Sequence, residues 1–99
     1  MMDEYRVKLH PNVDKFLSKL DSQLETRIRD RLKLLKNNPF HYLKHYEGEE
    51  NCYKFRTGDY RALIDVDQTR KIIFVCVLDH RKRIYKGKAA IAEKLKTEP

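Results

Sequence analysis

The run Cys52-Tyr53-Lys54-Phe55-Arg56-Thr57-Gly58-Asp59-Tyr60-Arg61 constrains this chain more than any other. Its residues alternate in type, and Gly58-Asp59 interrupts the alternation as a two-residue turn would, with glycine free to take the positive φ of a primed turn. Successive strand side chains point to opposite faces. The turn pairs Thr57 with Tyr60, Arg56 with Arg61, Phe55 with Ala62, Lys54 with Leu63 and Tyr53 with Ile64. Tyr53, Phe55, Ala62 and Ile64 then share one face, and Lys54, Arg56 and Arg61 share the other. A slip of one residue would reverse both faces, so the pattern specifies its own register. Arg56 and Arg61 become direct cross-strand neighbours, a like-charge pair that opposes sheet formation by up to roughly 1 kcal/mol. A polyanion such as RNA would neutralise them.

The charge distribution supports such a partner. Lys and Arg number 22 against 15 Asp and Glu, a net charge of +7 in 99 residues. Residues 1–50 hold 10 basic and 9 acidic side chains, and residues 51–99 hold 12 and 6, so the excess lies in the second half. Charge alone suits nucleic acid, an anionic membrane or an acidic protein equally. No apolar run reaches membrane-spanning length and the start has no apolar signal core, so a cytoplasmic protein is expected. Cys52 and Cys76 lie in strand-like runs and read as buried free thiols rather than a disulfide. The four His and two Cys show no metal-ligand spacing, so no metal or other cofactor is expected.

Along the chain, Tyr5-Arg6-Val7-Lys8-Leu9 alternates as a half-buried strand does. His10-Pro11-Asn12 ends it, and Val13, Phe16, Leu17 and Leu20 follow at helical spacing. Ser22 with Glu25 fits a capping box for a second helix. Its apolar stripe is Leu24, Ile28, Leu32 and Leu35, and its basic positions read as a solvated face. The helix ends at Asn37-Asn38-Pro39, and residues 40–51 read as a connecting loop. Residues 67–70 form a second turn, and Lys71 to Leu78 is apolar on both faces, as in a strand at least partly covered on both sides. Gly87 precedes a short amphipathic tail containing Ala89, Ala90, Ile91 and Leu95. These elements predict one α+β domain over residues 1–99: an antiparallel sheet packed on one face by an N-terminal helical hairpin, with a short C-terminal helical tail. Tyr53, Phe55 and Tyr60 are expected in the core, and His10, His41 and His45 on the surface or in loops.

In this order of elements, and in Cys52-Tyr53-Lys54-Phe55-Arg56, Gly58-Asp59-Tyr60-Arg61 and His80-Arg81-Lys82-Arg83-Ile84-Tyr85, the chain resembles the RelE/ParE superfamily of bacterial and archaeal toxins from toxin–antitoxin systems. The resemblance covers nearly the whole chain and is nearer to the RelE branch, which cleaves mRNA in the ribosomal A site. It implies attack of an mRNA 2′-hydroxyl on the adjacent phosphate. That reaction needs a base, cations that stabilise the developing charge, and an acid for the leaving oxygen. By motif position Lys54 matches the base, with Arg56 and Arg61 nearby to favour the neutral amine a base requires. His80 is the alternative base or acid, since some relatives use a histidine near the end of the last strand. Arg61 and Arg81 match the phosphate-stabilising arginines, and Tyr85 the aromatic residue near the scissile nucleotide. Arg56 stands where some active members carry Lys. Lys82, Arg83, Lys86 and Lys88 read as general contacts to RNA. The implied partners are a cognate antitoxin and the ribosome with bound mRNA. The antitoxin is expected along the apolar groove of the helices and the sheet edge, where displacement of the tail from Ala89 to Leu95 would move Tyr85 or Arg81. The alternatives are a non-enzymatic inhibitor of DNA gyrase, as in the ParE branch, and a weakly active member that chiefly binds antitoxin.

Overall fold

The computed structural model describes residues 4–46 and 51–84, the last two by backbone alone. Strand β1 (Arg6–Leu9) leads into helices α1 (Pro11–Ser18) and α2 (Ser22–Lys33), and a 3₁₀ turn at Leu34–Lys36 continues α2. A short helix α3 (Pro39–Tyr42) and a two-residue strand β2 (Lys44–His45) follow, then β3 (Cys52–Thr57), β4 (Tyr60–Asp67), β5 (Ile72–His80) and α4 (Arg81–Ile84). The strands form one sheet in the order β1-β5-β4-β3-β2.

The hairpin forms in the expected register, from Thr57 opposite Tyr60 to Cys52 opposite Asp65. Gly58 has φ 58° and Asp59 does not share the positive sign, which is the pattern of a type II′ turn. Phe55, Ala62 and Ile64 are buried with Val66, Ile73, Val75 and Leu78. Val13 and Leu17 of α1 join Ile28 and Leu32 of α2, and Leu35 beyond it, in the same core. Full burial of side chains of this size contributes about 1.5–3 kcal/mol each. Tyr53 and Tyr60 pack against this core, as expected.

Four expectations need correction. The sheet is mixed rather than antiparallel, because β1 pairs parallel with β5, Arg6 with Ile72 through Leu9 with Val75. Residues 39–45 hold a turn of helix and a strand rather than only loop, with Pro39 at the first helical position. The cap of α2 is Asp21, whose carboxylate accepts from the N–H groups of Gln23 (3.1 Å) and Leu24 (3.4 Å). Ser22 is therefore inside the helix. The basic residues of α2 are not simply solvated: Arg29 bonds Asp14 at 2.8 Å and Glu25 at 3.0 Å, and the Arg31 guanidinium lies 5.7 Å from the Phe55 ring centre. The expected tail, Ala89 to Leu95, lies outside the described residues.

One irregularity sets the faces of β5. Ile64 pairs with Val75 but Leu63 pairs with Val77, leaving Cys76 unmatched as a β-bulge. The extra residue reverses the alternation along the strand. Ile73 and Val75 are buried before it, and Leu78 after it. Phe74, by contrast, stays 37% exposed.

The cap assignment has a direct consequence. Asp21→Ala is expected to lower stability by about 1 kcal/mol, while Ser22→Ala leaves it within about 0.5 kcal/mol. Urea denaturation followed by circular dichroism separates the two. Equal losses would restore Ser22 as the cap.

Candidate RNA-binding and cleavage site

The sheet has an inner face, on which α1 and α2 pack, and an outer face. Register fixes which side chains reach the outer one. Lys54 and Arg56 alternate with buried Phe55, and Arg61 opposes Arg56 directly. Arg61 is also a diagonal neighbour of Lys54, whose direct partner is Leu63; such diagonals span roughly 7–8 Å. On the other side of β3, Lys44 of β2 pairs with Lys54 and so joins the same face. Pairing of Arg61 with Asp79 adds one carboxylate to the row. The result is a cationic corner built by Lys44, Lys54, Arg56 and Arg61, with Asp79 at its border.

The hairpin turn organises two arginines. The Arg61 Nη1 donates to the carbonyls of Gly58 (2.8 Å) and Tyr60 (3.0 Å). The Arg81 N–H donates to the Asp59 carbonyl at 2.8 Å, and its Nε lies 3.8 Å from the Asp59 carboxylate. Arg81 begins α4 immediately after β5, so this backbone bond ties the strand end to the β3–β4 turn. Arg61 and Arg81 are thereby held at the same end of the sheet. The Lys54 ammonium lies 6.0 Å from the centre of the Tyr46 ring.

His80 is placed elsewhere. It pairs with Tyr60, which faces inward, and their rings are 5.6 Å apart. Tyr60 in turn meets Phe16 of α1 at 6.0 Å. The His80 Nδ1 accepts from the Lys82 N–H at 3.2 Å, across the start of α4. Simple alternation along β5 would put His80 on the face of Phe74; the bulge at Cys76 turns it inward and sends Asp79 outward instead. Lys54 and His80 are therefore on opposite faces. Lys82 is exposed beyond the strand. Tyr85, Lys86 and Lys88, and the side chain of Arg83, lie outside what is described.

Sequence reasoning missed Lys44. A strand of two residues has no alternation to read, and only its pairing with β3 reveals its face. It also missed the Asp59–Arg81 contact, which no spacing signals.

Cys52 and Cys76 are thiols outside any disulfide and are half-buried rather than fully buried. Burial pushes the Cys76 thiol up to about 12, aided by the negative charge of Asp65 and then by Cys52. Its thiolate is scarce at neutral pH, which suits an inert packing residue. Among the described residues no group of three or more His, Cys, Asp or Glu could hold a metal ion, and no helix is long and apolar enough to cross a membrane.

A groove lies at the other edge of the sheet. About 410 Å³ in volume, it runs between β1 and α2, with Val7, Leu9 and Leu32 at its base and Arg6, Arg29, Lys33 and Lys36 around it.

The model of the ParE toxin family of type II toxin–antitoxin systems (parDE) matches residues 7–85. The chain belongs to the RelE/ParE toxin superfamily. Solved structures of RelE toxins share the fold. The archaeal RelE of the RelE–RelB complex from Pyrococcus horikoshii is 30% identical with a TM-score of 0.70, over 81% of this chain and 98% of that one. The RelBE2 toxin–antitoxin complex from Mycobacterium tuberculosis gives 22% identity and 0.70, over 79% and 99%. The isolated Escherichia coli RelE toxin gives 20% and 0.65, over 87% and 96%. A search of curated proteins gives no match. The chain is a type II toxin of this superfamily, and its cationic corner is the feature that a functional account must explain.

The corner carries a stability cost that can be measured. Arg56→Thr removes the like-charge pair with Arg61 and places a good strand former on an exposed position. It is expected to raise stability by up to about 1 kcal/mol in urea unfolding. A lower unfolding midpoint would show that the arginine pair is not repulsive here.

Proposed function

We propose that this toxin is a ribosome-dependent endoribonuclease that cuts mRNA in the ribosomal A site. The observation that carries the reading is the gathering of Lys44, Lys54, Arg56 and Arg61 on one sheet face, with Arg81 anchored at the same end through the Gly58-Asp59 turn. Four or five cations within a small area serve an anion whose charge rises during reaction. Attack of a 2′-hydroxyl on the adjacent phosphate makes such a species, with an extra negative charge spread over the phosphoryl oxygens. Arg61 and Arg81 stabilise that charge. Lys54 takes the 2′-hydroxyl proton, a role its outer-face position supports and the inward placement of His80 does not; the phosphorus–O5′ bond then breaks, leaving a 2′,3′-cyclic phosphate, and the departing 5′-oxygen takes a proton from solvent. Lys44 and Arg56 hold the flanking phosphates. Tyr85, Lys82, Arg83, Lys86 and Lys88 remain proposed contacts to RNA.

A cognate antitoxin is the second proposed partner. The groove between β1 and α2 offers an apolar base within a cationic surround, and β1 is an edge strand. An amphipathic segment bearing acidic residues fits it by charge, which would also speed association.

The match to the ParE family model favours a second reading, inhibition of DNA gyrase without catalysis. A supercoiling assay at toxin excess tests it; undiminished supercoiling would remove it.

Primer extension on mRNA in translating ribosomes tests the first reading. Wild type is expected to give A-site cuts, and Arg61→Ala to slow them on the order of 10²–10³-fold. Ribosome binding by the variant should fall by less than about tenfold, as for loss of one phosphate contact. Equal losses in binding and cleavage would reduce Arg61 to a binding residue. No cuts from folded wild type would end the nuclease reading.

A further inference from the structure

The outer face carries a second feature, on the strands farthest from Lys44. The parallel pairing of β1 with β5 sets Lys8 beside Phe74 and Arg6 beside Ile72. His10 extends this row: its N–H donates to the Val75 carbonyl at 3.0 Å. The imidazole lies nearly parallel to the Phe74 ring, with centroids 6.2 Å apart and planes 19° apart. Phe74 sits on an interior strand, between β1 and β4, yet is 37% exposed. A large aromatic left more than a third exposed in the middle of a sheet forgoes part of the stabilisation that full burial would bring.

The surroundings of Phe74 decide what it is suited to meet. Lys8 and Arg6 flank it on β1, and Asp65 lies opposite on β4 with Asp67 two residues on. A protein interface centred on Phe74 would have to cover these charges, and interface cores are depleted of charged residues. A nucleic-acid strand uses both features at once, since a base stacks on the ring while phosphates meet the cations. The Asp65 carboxyl is pushed up, first by partial burial and then by the charge of Asp67. A carboxyl at this position also suits the amino group of a base edge. Asp65 and Arg61 are four residues apart on β4, about 13 Å. A short run of unpaired nucleotides spans that distance.

We propose that Phe74 and His10, with Lys8 and Arg6, form a stacking subsite for an unpaired base of single-stranded RNA on the same sheet face as the cationic corner. The subsite rests on the RNA-directed reading of this toxin but not on its being a nuclease. The RNA is either the mRNA beside the cleavage point or an unpaired stretch of ribosomal RNA, and both present the same chemistry.

Fluorescence anisotropy with a short labelled oligouridylate tests binding directly. Phe74→Leu keeps an apolar side chain and removes the aromatic face, so it is expected to weaken binding about tenfold. Phe74→Trp should restore it. Lys8→Gln should lower the salt dependence by about one phosphate contact. Equal affinities of wild type and Phe74→Leu, including no binding by either, would overturn the subsite. A photocrosslinker installed at position 74 in programmed ribosomes identifies the source. Crosslinks to mRNA or to ribosomal RNA support the subsite and tell the two apart, whereas crosslinks to protein alone overturn it. Binding that depends on Phe74 without A-site cuts would keep the subsite and end the nuclease reading. Cuts with binding that ignores Phe74 would do the reverse.

Discussion

The register of β3 against β4 is the constraint on which the rest of this molecule depends. It buries Phe55, Ala62 and Ile64 together, and the same step places Lys54, Arg56 and Arg61 on the opposite side. Core and cationic corner are two outcomes of one alignment. The turn that holds it also holds Arg61 and Arg81, through the carbonyls of Gly58 and Asp59 and the Asp59 carboxylate. Stability therefore does not oppose function everywhere in this sheet. The repulsion between Arg56 and Arg61 is local, and it is carried by an alignment that many buried apolar contacts secure.

The bulge at Cys76 is the second determinant. It lets one strand serve the core with Ile73 and Val75 and then with Leu78, which strict alternation would forbid. It also exchanges the places of Asp79 and His80. A carboxylate comes to lie opposite Arg61, where it balances part of the positive charge. The histidine is turned toward Tyr60 and the start of α4. A single inserted residue thus decides which titratable group faces the cationic corner.

What the sequence made legible follows from the range of the forces involved. The hairpin was readable because alternation and the Gly58 turn specify the same register, and each is local. The stripes of α1 and α2 were readable for the same reason. The partner of β1 was not, because Arg6–Leu9 alternates equally well beside any strand, and its parallel place next to β5 is settled only when the sheet assembles. The bulge was hidden because Val75, Cys76 and Val77 are all apolar and show no break in pattern. Lys44 was hidden by the brevity of β2. Asp21 and Ser22 are both good caps, and the choice between them lies in where the backbone turns helical: Asp21 is still outside the helical region, at ψ 139°. For the candidate site, local alternation put Lys54, Arg56 and Arg61 on one face, while the inward turn of His80 depended on the unseen bulge.

The parallel pairing of Arg6–Leu9 with Ile72–Val75 joins the beginning of the sheet to its last strand. A chain emerging from a ribosome makes β1 first and must hold it unpaired through three helices and three further strands. Loop closure over so long a stretch is costly in entropy, and contacts of this span slow folding. The sheet is complete, and the end of β5 can meet the Gly58-Asp59 turn, only after β5 has been synthesised. Arg81, which follows β5, reaches its place at that same late moment. The cationic end is thus the last part of the molecule to be completed, and a chain cut short before β5 carries the cations of the hairpin without Arg81 beside the turn.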